Sequence, residues 1–133
     1  MLRFDPNLRW MFTELPMLER YGAAARAGFQ GVEVAFPYEY PAAQIADLLA
    51  QHRLTLVQVL TPCDWAAGER GIAALPGRED EFLRSVDQAV AYAVQVGKPM
   101  VHAMAGNIPA GVERARCHDV FLKNIERAAE ATE

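Results

Sequence analysis

Only two cysteines, Cys63 and Cys117, occur in 133 residues, too few for a disulfide framework. Basic residues are in the minority: 13 Lys and Arg stand against 17 Asp and Glu, a formal net charge of −4. Nucleic acids and anionic membranes recruit basic patches, so neither is expected as a partner. No apolar run approaches the ~20 residues of a membrane span. The opening segment MLRFDPNLRW has no signal-peptide core, which predicts a cytoplasmic chain. Several chemical signatures are missing as well: HExxH, paired CxxC, Walker A, GxGxxG and GxSxG. Cys117, His118 and Asp119 are consecutive on a predicted helix, and adjacent helical positions do not converge on one ion. Cys63 reads as a small buried or loop residue. Trp10, Trp65, Phe36 and Tyr38 sit in an acidic chain, a poor setting for base stacking.

What is present is core-forming material. Hydrophobic residues make up 52% and charged residues 23%, which excludes disorder and fibrous repeats, and the length suits one domain. Residues 2–10 start as a weak strand, with Leu2, Phe4 and Leu8 interrupted by Pro6. Thr13 can cap a helix with Pro16 in its first turn; Met17, Leu18, Tyr21, Ala24 and Ala25 recur at helical spacing and Gly28 closes it. Gly31 to Phe36 is a second strand, and Pro37 and Pro41 bracket a turn. Ile45, Leu48, Leu49 and His52 mark a second helix, and Leu54 to Leu60 a third strand. Phe82, Val86, Ala89, Val90, Ala93 and Val96 form a third stripe that Gly97 and Pro99 end. Met100 to Ala105 is a fourth strand, and Val120, Phe121, Ile125, Ala128 and Ala129 mark a fourth helix. This βαβαβαβα order predicts a parallel sheet covered by helices with right-handed crossovers. An open doubly wound sheet and part of a (β/α)8 barrel both fit it.

In either architecture the chemistry lies at the C-terminal ends of strands and in the loops that follow. The loop after the third strand, TPCDWAAGERGIAALPGR, is long for a compact domain, as lids and binding loops are. It holds Trp65 and, between Gly68 and Gly71, Arg70, whose guanidinium can grip a carboxylate bidentately; otherwise Arg70 is a solvated surface arginine. Arg78 opens the third helix, where its neighbours Glu79 and Asp80 account for it. His102 lies inside an apolar strand. It is either a core histidine bonded to the backbone or a polar group aimed into a barrel mouth. Glu33 is a carboxylate in mid-strand, which needs a partner if buried; an arginine or Asn7 would serve.

The segments Asn7 with Phe12-Thr13-Glu14, LERYGAAARAGFQGVEVAFPYEYPA, TPCDWAAGERGIAALPGRE and VHAMAG together closely resemble the hydroxypyruvate isomerase family. Those enzymes are xylose-isomerase-like (β/α)8 barrels with 2-oxo-tetronate isomerases as near relatives. The resemblance runs from about residue 3 to the end, and the DWAAGERG…ALPGRE loop is its most specific part. It implies the first four βα units of such a barrel, a single N-terminal half-barrel over residues 1–133 with parallel strand order 1-2-3-4 and helices on the convex face. It also implies interconversion of 3-hydroxypyruvate and tartronate semialdehyde through an enediolate, with one glutamate moving the proton and a second assisting. A divalent cation, Mg or Mn, would polarise the substrate oxygens. The substrate is a small carboxylate-bearing hydroxy-oxo compound. Arg70 and His102 carry over as substrate-side residues, and Asn7 and Glu33 as barrel-interior supports. A full barrel takes about 250 residues. In the family the catalytic glutamates and metal ligands sit on strands five to eight, so they are expected beyond Glu133. None is expected among these residues, and the chain alone is expected to be inactive. Two other readings stand beside this one: a non-catalytic half-barrel that assembles as a homo-oligomer through its open edges and inner face, and a related sugar isomerase, epimerase or endonuclease. The acidic charge and the ERG loop count against the endonuclease.

Overall fold

The computed structural model describes residues 4–132. They contain four α-helices, α1 (Met17–Arg26), α2 (Ala42–His52), α3 (Glu79–Gln95) and α4 (Arg114–Glu130). Three strands alternate with them: β1 (Gly31–Glu33), β2 (Thr55–Leu60) and β3 (Met100–His102). The fold is α/β, and the sheet order is β1-β2-β3, with β1 parallel to β2.

The first predicted strand is reduced to one parallel bridge, Asn7 to Glu33. The Leu8 N–H donates to the Glu33 carbonyl at 2.9 Å and the Glu33 N–H to the Pro6 carbonyl at 3.0 Å. The pairing cannot extend because Pro6 has no N–H and Asn7 turns the chain. The Asn7 carbonyl accepts from the Trp10 and Met11 N–H groups, and its side-chain oxygen accepts from the Arg9 N–H. Leu2, also assigned to that strand from the sequence, lies outside the described residues. So does Glu133, the residue beyond which the family's glutamates are expected. The Asn7 bridge is on β1, so the spatial order follows the chain order with no return crossover. That is the expected 1-2-3-4 arrangement, with its first member a single bridge.

The chain divides into two compact units, one of residues 1–59 and 91–101, the other of residues 60–90 and 102–133. In the first unit, helix α1 starts at Met17 behind Pro16, without a side-chain cap. Thr13, the expected cap, lies three residues earlier in a turn that Arg20 holds from α1. The Arg20 guanidinium donates to the Leu8, Leu15 and Thr13 carbonyls. The helix ends as expected: Gly28, at φ +91°, lets its N–H reach the Ala25 carbonyl and the Phe29 N–H reach that of Ala24. The core of this unit is Leu8, Tyr21, Ala24, Val32, Ile45, Leu49, Leu56, Val59, Tyr92 and Val96, the apolar stripes and strand faces read from the sequence with Tyr92 added. The Tyr92 hydroxyl lies 3.2 Å from both the Pro37 and Tyr40 carbonyls, and burial pushes its pKa up to about 12.

In the second unit Ile72, Ala73, Phe82 and Val86 form the core, with Leu75, Val90, Ala103, Phe121, Ile125 and Ala128 packed against it. Strand β3 stops at His102 rather than continuing to Ala105 as expected. The Met104 and Ala105 carbonyls accept instead from the Ala73 and Ala74 N–H groups of the long loop. The backbone groups that would continue the ladder are thus satisfied by the loop. Among the described residues no helix is long and apolar enough to cross a membrane.

Candidate functional site

Glu33 is the last residue of β1, not a mid-strand residue as the sequence suggested. The register slips between Val32 and Glu33, and the run Val34 to Phe36 leaves the strand. Strand C-terminal ends are where α/β folds place chemistry. The Glu33 carboxylate is already engaged, however. Its Oε1 accepts from the Asn7 side-chain amide at 2.8 Å and from that of Gln58 at 3.3 Å. Of the two partners considered for Glu33, Asn7 is the one found; Gln58 was not singled out, although its place in the apolar strand LTLVQVL marks it. His102 ends β3 and is exposed, so it is not a core histidine. Its carbonyl accepts from the Thr61 N–H at 3.0 Å.

The long loop is a built structure. The Asp64 N–H donates to a Glu69 carboxylate oxygen at 2.7 Å, the Glu69 N–H returns to the Asp64 carbonyl at 3.0 Å, and the Ala67 N–H donates to the Asp64 side chain at 2.9 Å. These bonds close residues 64–69 into a ring of backbone. Arg70 follows directly. It is exposed, its guanidinium carbon lies 3.9 Å from the Trp65 ring centroid, and one N–H donates to the Glu69 carbonyl at 2.7 Å. A guanidinium laid flat on an indole keeps its charge and presents its remaining N–H edges outward. That disposition suits a planar carboxylate.

Arg78 overturns the sequence expectation. Its partners are not Glu79 and Asp80 but Glu81 and Glu69. It forms a fork on Glu81, with Nε 2.7 Å from Oε2 and Nη2 2.5 Å from Oε1, and Nη1 is paired with Glu69. Residues one and two apart on a helix do not face each other, whereas residues three apart do. Glu69 and Glu81 were both missed, as was Asn124. Asn124 is a buried amide on α4 whose side-chain N–H donates to the Ala73 carbonyl at 2.9 Å. Its signal was legible, a polar residue at a core position between Phe121 and Ile125 on one helical face.

The Arg78 hydrogen bonds hold the Glu81 carboxyl below the usual carboxylate range, and hydrogen bonds from the backbone of Glu79 and Gly77 lower that of Glu79. A lowered folded-state pKa means stability that is present above the ordinary carboxylate value, about 4.3, and lost as pH falls through the folded one. The pair is largely solvated, so its worth is small, about 0.2–1 kcal/mol. Wild type is therefore expected to melt slightly above Glu81→Gln at pH 6, and the gap to close by pH 3. Thermal melts at the two pH values measure it; a gap that widened on acidification would refute this pairing.

Burial raises the Cys63 thiol pKa, the largest influence on it, which does not favour a nucleophilic thiolate. Among the described residues no three His, Cys, Asp or Glu side chains form a group that could hold a metal ion. The divalent cation implied by the resemblance therefore finds no matching ligand set in these residues, and no chemical step is derived through it. A cleft of about 1010 Å³, lined by Phe4, Asp5, Phe29, Arg53, Thr55 and Val57 among others, opens at the N-terminal ends of β1 and β2. That end of parallel strands serves stability rather than chemistry.

With this geometry in place, comparison with known proteins decides the family. A family model described as a xylose isomerase-like TIM barrel matches residues 21–133. The chain belongs to that family. It is 48% identical over 134 aligned residues to a 2-oxo-tetronate isomerase of Cupriavidus necator, covering 98% of this chain and 51% of the relative. It is 42% identical to the hydroxypyruvate isomerase of Escherichia coli, covering 97% and 50%. The resemblance to these two groups of enzymes, read from the sequence, is borne out. Among solved structures it superimposes on an AP endonuclease, family 2, from Brucella melitensis with a TM-score of 0.94 at 49% identity, covering 99% of this chain and 51% of that one. An L-ribulose 3-epimerase shares the fold, with a TM-score of 0.62 at 21% identity. The chain spans about half the length of the curated relatives it matches. The expected first half of a (β/α)8 barrel accords with both the fold and this coverage.

Proposed function

We propose that this xylose isomerase-like chain supplies the first four βα units and the carboxylate-binding loop of a hydroxypyruvate isomerase. The enzyme would interconvert 3-hydroxypyruvate and tartronate semialdehyde through an enediolate. The observation that carries the reading is Arg70, exposed on a closed loop and stacked on Trp65, in a chain whose relatives include named isomerases of both kinds. Arg70 would take the substrate carboxylate, holding the molecule by the end that does not react. His102, exposed at the end of β3, would meet the substrate as a hydrogen-bonding group. Asn7 and Glu33 would support the barrel interior. The glutamates that move the proton, and the ligands of an Mg or Mn ion, would come from the second half of the barrel, beyond Glu133.

The test is Arg70→Lys in this chain completed by a C-terminal half-barrel from a relative. Lysine keeps the charge and loses the planar fork. The expected loss is roughly 1–3 kcal/mol of productive binding, or about 5–150-fold in kcat/KM. Kinetics equal to wild type would sink the carboxylate reading. The net charge of −4 disfavours the endonuclease alternative, because a duplex is held chiefly through cationic contacts to phosphate.

A second reading, a half-barrel that self-associates, has one observation in its favour. Met100 on β3 is 63% exposed and Trp10, beside the Asn7 bridge, 69%, large apolar side chains on or near a sheet that a closed barrel would cover. The 133-residue chain is expected to form dimers or larger species in solution. Light scattering that showed a clean monomer at high concentration would refute this.

A further inference from the structure

We propose that Arg78, whose guanidinium is paired with Glu81 and Glu69, is a positioning residue for Arg70. It acts by clamping the Glu69 carboxylate, and so sets the affinity of the loop for a carboxylate ligand. The inference rests on the carboxylate reading of Arg70. The chain of contacts is continuous. Arg78 grips Glu81 with two N–H groups, an anchorage within the first turn of α3. Its third contact reaches back nine residues to Glu69. The other oxygen of the Glu69 carboxylate accepts from the Asp64 N–H, and the Glu69 carbonyl accepts from Arg70 itself. Glu69 is thus held from the helix side by Arg78 and holds the loop ring and Arg70 on its other side. On the far side of Arg70, Gly71 bridges to Ala105. Arg70 is flanked by two fixed residues, and only one of those anchors is built from side chains. A guanidinium that is held in place before the ligand arrives loses less ordering entropy on binding. Release of Glu69 would let residues 64–70 and the Trp65 stack sample other arrangements. Arg78 is the residue that can do this clamping, because one planar guanidinium can serve two carboxylates at once. A lysine presents a single point charge.

The experiment uses the 133-residue chain in a Trp10→Phe background, so that Trp65 is the sole tryptophan, and the tartronate dianion as the probe. Quenching of Trp65 on titration reads binding, and amide hydrogen exchange reads the loop. In Arg78→Met the tartronate Kd is expected to rise about tenfold. Exchange of the Asp64 and Glu69 amides should accelerate at least tenfold, while that of Ala73 and Ala74, which bond to Met104 and Ala105, stays as it was. Arg78→Lys should recover part of the affinity, and Glu69→Gln should mimic Arg78→Met. Arg70→Met should abolish quenching. Quenching that needs Arg70 but persists unchanged in Arg78→Met would overturn the positioning role alone. Absence of saturable quenching in the parent chain would overturn the Arg70 reading and this role with it. Equal acceleration at Ala73 and Ala74 would show general unfolding and overturn the local clamp.

Discussion

The 133-residue chain purified by itself is expected not to form tartronate semialdehyde from hydroxypyruvate at an enzymatic rate, with or without Mg²⁺ or Mn²⁺. Proton transfer beside a carbonyl needs a base poised over the C–H bond and a group that stabilises the enediolate oxygens. Among the described residues two titratable groups end strands, Glu33 and His102. The Glu33 carboxylate is tied within the sheet, its Oε1 accepting from two side-chain amides, Asn7 and Gln58, so it is built into the strand rather than poised over a bound substrate. His102 can exchange a proton, yet one imidazole supplies only part of the acceleration. Loss of general acid–base help is worth about 10²–10⁴ in rate, and loss of a preorganised oxyanion donor a further 10²–10³ or so. The combined deficit against a complete enzyme is therefore at least about 10⁴-fold. A homodimer would add a second His102 and a second Glu33 held by the same amides. Completion by a C-terminal half-barrel is expected to restore turnover. Robust activity of the isolated chain that survives repurification and disappears in His102→Ala would show that the reacting groups lie among these residues.

The architecture was legible where side-chain periodicity governs it. The helical stripes of α1, α2 and α3 match the buried faces closely, because burying an apolar stripe is what holds such helices. Glycine at the end of α1 and the Gly97-Pro99 pair after α3 stop their helices for reasons local to the backbone. The strands were less legible. Asn7 and Pro6 limit the first to a bridge, and Met104 and Ala105 give their carbonyls to the loop. Both outcomes depend on which distant backbone group competes for a hydrogen bond, and periodicity does not carry that. The site was read in part. Loop length and glycines drew attention to Arg70, and the structure sets it on Trp65, five residues back. Arg78 is ion-paired as its acidic surroundings suggest, but adjacency in the sequence points to the wrong carboxylates, Glu79 and Asp80. The true ones are one helical turn ahead and nine residues behind, and only the closed loop brings Glu69 within reach.

Gly71→Ala is expected to cost far more stability than a glycine substitution on an exposed turn, and the reason lies in two separable terms. Gly71 has φ +99°, a conformation that side chains resist at a cost of about 1–3 kcal/mol. In addition, a Cβ there would stand 2.1 Å from the Met104 carbonyl oxygen. That oxygen is not free to retreat, since it accepts the Ala73 N–H at 3.1 Å. The approach is mutual: a Cβ on Gly106, at φ +98°, would stand 2.4 Å from the Gly71 carbonyl oxygen. Forcing a methyl into such a contact typically costs another ~1–3 kcal/mol or more. Together the two terms come to about 2–6 kcal/mol, at or beyond the upper end of ordinary point mutations, and in a chain of this size that lowers Tm by on the order of 10 °C. Gly77 is the natural control. It also has positive φ, +84°, but a Cβ there meets nothing within 4 Å, so Gly77→Ala carries the backbone term alone. Melting temperatures of the two variants separate backbone strain from close approach. The larger loss for Gly71→Ala should be accompanied by faster exchange of the Ala73 and Ala74 amides, whose acceptors sit beside the added methyl. Equal losses in the two variants would mean that the loop and the segment after β3 do not pack backbone to backbone at Gly71. The fixed anchor on the far side of Arg70 would then be lost from the account of the site.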